Sequence, residues 1–387
     1  MVNDLALQRD KYRHLSDEEW RWFLQQVEGR ERTADKLPTF AAIDDWWYPV
    51  RLSCEQCSSE TTASYKREIL QAKDSLSMVD LTGGYGVDTY FLSRAFAHTD
   101  YVEQNAELCR IAAHNFAIPR DQAQSTKISV HNSSAEDFLN TAGQYDLIFL
   151  DPARRDSHGG KVFRLEDCTP NVVELLPTLL AHLTTDGQLM LKLSPMLDIS
   201  LALSQLSTLN NQLHWDVHVV AVKNEVKEVL LVSRKQNADG PKTTITAIEL
   251  TQREQAFVFT REEETTCSPS PATQCPFTYL YEPNAAILKA GAYKLVGERF
   301  ALHKADINTH LYFSDRLVTV FPGRIWKILE QNPAKTKDLT QANILTRNYP
   351  MTPEQLKKKL HLRDGGTAFV IGLRIDGKPT LLLAERI

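Results

Sequence analysis

Residues 78–88 read Met78-Val-Asp-Leu-Thr-Gly-Gly-Tyr-Gly-Val-Asp88. The apolar start predicts a short buried strand, the glycines a sharp turn, and the residues from about Asp88 a helix. Gly83, Gly84 and Gly86 carry no side chain and can take φ > 0, so the backbone there can bend and approach a ligand closely. A dinucleotide fingerprint needs G-x-G-x-x-G with an acid about 20 residues further on. Here the spacing is G-G-x-G, with Asp80 before the turn and Asp88 after it. Carboxylates on both sides would repel a pyrophosphate, which prefers bare amides at a positive helix terminus. They suit a cationic amino-acid ligand instead.

The next expected strand, Thr99-Asp-Tyr-Val-Glu103, ends in an acid that could accept both hydroxyls of a ribose. A nucleoside joined to an amino acid without phosphate describes S-adenosylmethionine. A third strand-end acid follows in Tyr145-Asp-Leu-Ile-Phe-Leu150-Asp151-Pro152. With these three motifs in order, the chain resembles the class I S-adenosylmethionine-dependent methyltransferases. The resemblance implies that Asp80, Thr82, Gly83, Gly84, Tyr85, Gly86 and Asp88 surround the cofactor, with Glu103 and Gln104 on its ribose side. In His131-Asn-Ser-Ser-Ala-Glu-Asp-Phe-Leu139 the acid that this family sets against the adenine amino group is replaced by Ser134. The Ser134 hydroxyl, the Ala135 amide or Asn132 is then left to contact the ring.

Methyl transfer from a sulfonium is an in-line displacement, so the protein mainly aligns the acceptor and removes a proton. Asp151-Pro-Ala-Arg-Arg155 is the catalytic candidate, with Asp151, Pro152 and Arg154. It resembles the Asp-Pro-Pro-aromatic motif of amino methyltransferases but lacks the second proline and the aromatic. A target base would need stacking from elsewhere, Phe163 or Tyr85. Arg154 and Arg155, with Lys161 and Arg164, could hold phosphate or form an ordinary charged surface. Lys192, ending a later strand on the same rim, could face the substrate or pair with Asp151 or Glu225.

The chain has 387 residues, 42% hydrophobic and 24% charged, as expected of two or three globular domains. No apolar run reaches the roughly 18 residues of a membrane span, and no basic-apolar leader opens the chain, so a cytoplasmic protein without membrane contact is expected. Of six cysteines only Cys54-Glu-Gln-Cys57 has ligand-like spacing. No second pair completes a zinc site, so no metal is expected. Cys109 falls in the apolar pattern of a helix. The net charge of −5 hides an asymmetry: residues from Arg316 onward carry 13 Lys+Arg against 6 Asp+Glu, the rest 31 against 43. A basic module on an acidic body suits a polyanionic partner, although segregation of solvated charges by chance would look the same.

Four divisions are expected: an N-terminal helical domain over 1–75, the methyltransferase domain over 76–266, a ferredoxin-like segment over 276–315 and a basic THUMP-like domain over 316–387. The first has a capping box at Ser16 and Glu19. It also holds Trp46-Trp47-Tyr48, an aromatic cluster read as core in preference to a base-stacking platform. A helix starting in Gln56–Thr62 places Ser59 and Thr62 as either plain caps or contacts to the methionine end. From 76 to 235, strands and helices alternate as in a doubly wound parallel sheet. A polar turn at Lys223-Asn224-Glu225 joins an antiparallel hairpin. Strands at 243–250 and 256–260 have no assigned sheet, and Ser268-Pro-Ser-Pro271 reads as a linker.

The tail is read as strand 277–281, helix 285–300, strands 309–313, 317–321 and 342–346, helix 353–360 and a hairpin of 367–374 with 379–385. It resembles the THUMP-like domains that accompany some bacterial methyltransferases, Bacteroidetes proteins among them, and true THUMP domains bind RNA. The fold class expected is therefore α/β: a Rossmann-like class I methyltransferase sheet, an N-terminal helical region and a C-terminal α+β THUMP-like and ferredoxin-like module. Arg155, Lys192, Arg347, Lys357, Lys358, Lys359 and Arg363 are the expected RNA contacts. The function expected is methylation of RNA (rRNA or tRNA) at a base nitrogen, guanine N2 or adenine N6. Methylation of a protein or small molecule, and a catalytically decayed RNA-binding protein, are the alternatives.

Overall fold

A computed structural model describes residues 5, 9–70, 76–119, 127–154, 164–210, 213–235, 243–251, 256–272, 277–333 and 339–387. The chain divides into two compact units, Met1–Trp215 with Val229–Gly240 and Asp216–Glu228 with Pro241–Ile387.

The first unit opens with helices Asp17–Thr33, Pro38–Ala41, Arg51–Gln56 and Glu60–Glu68. Ser16 and Glu19 form the expected reciprocal cap. Trp46 and Tyr48 are buried with Phe40, Tyr85, Tyr90 and Phe91, so the cluster is core and no stacking platform. Trp47 is partly buried and stacks on His114 with ring centroids 3.6 Å apart. The Tyr85 hydroxyl accepts a hydrogen bond from the Trp46 indole nitrogen at 2.9 Å.

The sheet then begins with β1 (Ser77–Asp80), β2 (His98–Glu103), β3 (Lys127–Asn132) and β4 (Tyr145–Leu150). A two-residue ribbon follows, β5 (Ala153–Arg154) against β6 (Cys168–Thr169), and then β7 (Leu183–Leu193), β8 (Leu213–Val222) and β9 (Glu225–Lys235). Within this unit the order is β9-β7-β4-β1-β2-β3, parallel except where β9 runs antiparallel to β7. The chain winds outward from β1 through β2 to β3, then returns to the other side of β1 as β4. The carboxyl ends of β1 and β4 thus flank the point where the winding reverses, the place where such sheets take ligands. The connecting helices are Val87–Leu92, Ala106–Ala117, Ala135–Leu139, Val172–Ala181 and Ile199–Leu209. Asn105, Ser134, Asn171 and Asp198 cap four of them.

The β8–β9 hairpin is divided between the units, and its turn residues Lys223 and Asn224 take positive φ. In the second unit β10 (Thr244–Glu249) runs parallel to β8 and β11 (Phe257–Thr260) antiparallel to β10, so the two unassigned strands extend from β8. Seven further strands form one sheet: β12 (Tyr279–Pro283), β13 (His303–Asp306), β14 (Thr309–Ser314), β15 (Gly323–Gln331), β16 (Asn343–Arg347), β17 (Ala368–Ile375) and β18 (Lys378–Arg386). Their order is β13-β14-β12-β15-β18-β17-β16. The Ser268–Pro271 segment lies against β13, where Lys304 donates its amide to Ser270 and accepts that of Ala272.

Two expectations fail here. Leu317–Phe321 is no strand, because β14 and β15 already occupy both edges of β12, and Val320 is left 79% exposed. The single helix expected over 285–300 is two, Ala285–Ala290 and Leu295–Arg299. Gly291 ends the first in a left-handed conformation (φ 83°), and the Glu264 carboxylate accepts the amides of Tyr293, Lys294 and Leu295. Strands β13 and β15 escape the sequence reading, β15 because a bulge between Ile328 and Glu330 breaks its alternation.

Replacing Tyr85 by Phe removes the acceptor of a buried indole N–H and is expected to cost about 1–3 kcal/mol. Urea unfolding measures this as a lower midpoint at unchanged slope. A midpoint equal to wild type would mean that the indole bond adds nothing to stability.

Candidate active site

The glycine turn is held against β2 from several sides. Gly83 donates its amide to the Val102 carbonyl at 2.9 Å, and the Tyr101 hydroxyl donates to the Gly84 carbonyl at 2.6 Å. A Cβ on Gly83 would stand 2.1 Å from the Tyr101 ring, so no side chain fits there. Gly86, at φ 82°, begins the helix Val87–Leu92, and a Cβ on it would come within 2.7 Å of Phe116. Glu103 accepts the Gly84 amide at 2.9 Å through one oxygen and the Asn105 amide at 2.8 Å through the other. The expected ribose acid thus touches the turn directly.

Asp80 is buried at 1% exposure beneath the turn. The Thr89 hydroxyl donates to it at 2.6 Å and the Thr82 amide at 3.0 Å. Burial pushes its carboxyl up to about 7, and the two donors hold it below where burial alone would place it. The Thr82 hydroxyl accepts the backbone amide of Asp151 at 2.6 Å, which fastens the end of β4 to the turn after β1. Asp151, partly exposed, is followed by a buried Pro152.

Asp88 was expected beside the cofactor but is 8% exposed, with its carboxylate enclosed by protein. Ser58 donates to one oxygen at 2.7 Å, Lys66 lies 3.0 Å from the other, and Lys192 stands 3.6 Å from the first. The Lys66 contact is a buried ion pair. Burial alone would raise the Asp88 carboxyl; Lys66 and Lys192 outweigh it and hold it below the usual range. Ser58 and Lys66 were not singled out in the sequence. The only signal was their place on the segment preceding β1.

Lys192, an expected RNA contact, is ion-paired with Asp151 and only 12% exposed, so its ammonium serves the acid and is not offered to phosphate. Tyr85 cannot stack a substrate base, because its ring lies in the aromatic core. Ser134 caps the helix Ala135–Leu139, accepting the Asp137 amide at 3.0 Å and donating to the Asp137 carboxylate at 2.8 Å. Gln104 is exposed, and its carbonyl accepts the Asn132 side chain at 3.0 Å. Ser59 is a plain cap of the helix Glu60–Glu68, and Thr62 is buried. Arg154 sits in β5 opposite Cys168. Arg155, Lys161 and Phe163 lie outside the described residues.

In the second unit Arg347, another expected RNA contact, is drawn 2.6 Å onto the buried Glu282, which Arg324 also approaches at 3.5 Å. A buried carboxylate needs a partner, and Arg347 supplies it. Lys357 is paired with Asp364 at 2.5 Å. Lys358, Lys359 and Arg363 are exposed. Among the described residues no group of three or more potential metal ligands gathers, and no helix is long and apolar enough to cross a membrane.

A parallel sheet reversing at β1, a glycine turn with an acid beneath it, a second acid ending β2 and an acid-proline pair after β4 define a methyltransferase of the class I fold. Comparison with known proteins agrees. A solved structure from Porphyromonas gingivalis, described as a candidate methyltransferase, superposes with a TM-score of 0.83 at 34% identity, covering 96% of this chain and 92% of that one. Two uncharacterised S-adenosylmethionine-dependent methyltransferases of Mycobacterium tuberculosis strains are 21% identical over 366 residues, 92% of each chain. Family models described as a ferredoxin-like domain and as THUMP domain-like match residues 279–322 and 323–386. The chain belongs to this family of S-adenosylmethionine-dependent methyltransferases with a ferredoxin-like and THUMP-like C-terminus.

The raised Asp80 carboxyl has a stability consequence. Its folded pKa lies above the unfolded 3.8, so the folded state binds the proton more tightly, and stability falls as pH rises from about 4 to about 7. The decline attributable to this group is at most about 4 kcal/mol. Asp80→Asn is expected to flatten that part of the profile in chemical denaturation from pH 4 to 8. A slope unchanged by the substitution would remove Asp80 as its source.

Proposed function

We propose that the protein methylates RNA at a base nitrogen, guanine N2 or adenine N6, with Asp151 and Pro152 receiving the acceptor. The observation that carries this reading is the 2.6 Å bond from the Asp151 amide to Thr82, which joins the acceptor acid to the cofactor's turn. S-adenosylmethionine fits the donor set: Glu103 at the ribose hydroxyls, the Gly84–Gly86 backbone against the amino-acid part, and Asp80 as the negative charge beneath a cationic ligand. Ala135 is left as the contact to adenine, since the Ser134 hydroxyl caps its helix.

In the reaction the acceptor nitrogen's lone pair forms the N–C bond while the C–S bond breaks and its electrons stay on sulfur. The carboxylate of Asp151 accepts the N–H hydrogen bond that orients the amine and takes the proton that the new bond makes acidic. An in-line path needs little else from the protein. RNA as the substrate is supported by the THUMP domain-like match over 323–386 and by the basic balance beyond Arg316. Lys358, Lys359 and Arg363 are the phosphate contacts of this reading. Lys357 divides its charge with Asp364, and Arg154 stands in the chain just past the catalytic pair.

Calorimetry with S-adenosylmethionine is expected to give micromolar binding, about 8 kcal/mol, weakened about tenfold or more by Glu103→Ala. Asp151→Ala is expected to keep that binding and lose methyl incorporation into RNA. Retained incorporation would displace Asp151 from the chemistry.

Changing Lys358, Lys359 and Arg363 to Glu together is expected to weaken RNA binding and flatten its salt dependence, read by filter binding at several ionic strengths. If methyl transfer survives that change at full rate, a protein or small-molecule acceptor becomes the better reading. A wild type that binds RNA but no S-adenosylmethionine would leave a binding protein with a decayed site.

A further inference from the structure

Lys66 is fully buried on the helix Glu60–Glu68, and the proposed chemistry makes no use of it. Its ammonium lies 3.0 Å from one oxygen of Asp88. The other oxygen accepts from Ser58 at 2.7 Å and stands 3.6 Å from the ammonium of Lys192, which is itself ion-paired with Asp151. Charges of alternating sign therefore run from the N-terminal helices to the acceptor acid in the order Lys66, Asp88, Lys192, Asp151. A buried carboxylate keeps a counter-charge or disrupts its surroundings. Asp88 has two lysines within reach, and Lys192 has two acids.

We infer that Lys66 is a positioning residue for methyl transfer: by satisfying Asp88 it leaves Lys192 on Asp151 and so fixes the carboxylate that receives the acceptor. This rests on the role given to Asp151 above. Without the Lys66 ammonium, Lys192 is the remaining ion-pair partner of Asp88 among the described residues, and Asp88 draws it across the 3.6 Å gap. Asp151, whose side chain is 37% exposed, is then released to solvent and loses its fixed orientation. With Asp88 neutralised as well, that carboxylate no longer competes for Lys192, and the pair with Asp151 returns. A merely structural lysine would show no such reversal in Lys192 or in turnover.

The test uses the full chain, as wild type, Lys66→Met and Lys66→Met/Asp88→Asn. The accessibility of Lys192 is read by acetic anhydride labelling and peptide mass spectrometry. Lys66→Met is expected to lower Lys192 labelling severalfold, and the double variant, in which Lys192 faces one acid and not two, to raise it above the wild-type level. Methyl incorporation into total RNA from a strain lacking the enzyme is expected to fall about tenfold in kcat in the single variant. The KM for S-adenosylmethionine stays constant, and part of the lost kcat returns in the double variant. Equal Lys192 labelling in all three proteins overturns the assignment. Should the single variant fail to fold, the double variant, free of that buried pair, is compared with wild type. Raised Lys192 labelling then supports the assignment and unchanged labelling overturns it. Labelling that follows the expected pattern in a protein that transfers no methyl to RNA would sink the RNA reading alone and leave the charge chain standing.

Discussion

The absence of a side chain at Gly83 is the constraint on which the first unit depends. With a Cβ excluded at 2.1 Å by the Tyr101 ring, the turn after β1 lies directly on the end of β2, close enough for bonds from Gly83 to Val102 and from Tyr101 to Gly84. That closeness brings the Glu103 carboxylate to the Gly84 amide and the Thr82 hydroxyl to the Asp151 amide. The ends of β1, β2 and β4 are thereby tied together. Any larger residue at 83 would meet the Tyr101 ring and force the turn or the ring to shift.

The parts of this site legible in the sequence share one property: each is written in consecutive residues. An acid, a Gly-rich turn and a helix are local, as are a strand closed by Glu103 and one closed by Asp151-Pro152, and parallel-sheet geometry brings their ends to one rim. Side-chain destinations are not local. Tyr85 follows two glycines and reads as part of the seat, yet a bond to Trp46, 39 residues earlier, turns it into the aromatic core. Arg347 reads as a basic surface residue, and only the burial of Glu282, 65 residues away, shows why it is held. The second unit follows the same logic: the hairpin β17–β18 is local and was legible, while the failure of Leu317–Phe321 as a strand depends on which strands flank β12.

Charge within the first unit is arranged by depth. Asp80 has two hydrogen-bond donors and, among the described residues, no ion-pair partner, so burial governs it and pushes its carboxyl up to about 7. Asp88 is also buried but has two lysines, and attraction governs it instead. Two acids flanking one turn thus have opposite tendencies, which their symmetric spacing in the sequence could not reveal. A cationic ligand over the turn would act on Asp80 as Lys66 and Lys192 act on Asp88, lowering its carboxyl and removing the cost of its burial. The turn therefore has an acid balanced by lysines at Asp88 and one governed by burial at Asp80.

This difference also decides which acid can answer to a bound cofactor. A carboxylate already satisfied by lysine gains little from a second cation and would have to give up a partner to meet it. Asp80, with hydroxyl and amide donors only, can take a positive neighbour without losing a bond it already has. In the reading proposed above, the sulfonium and ammonium of the cofactor carry the charge that this position lacks. Asp151 differs from Asp80 in position and partner: it is ion-paired with Lys192 and its side chain is 37% exposed, where Asp80 is buried beneath the turn.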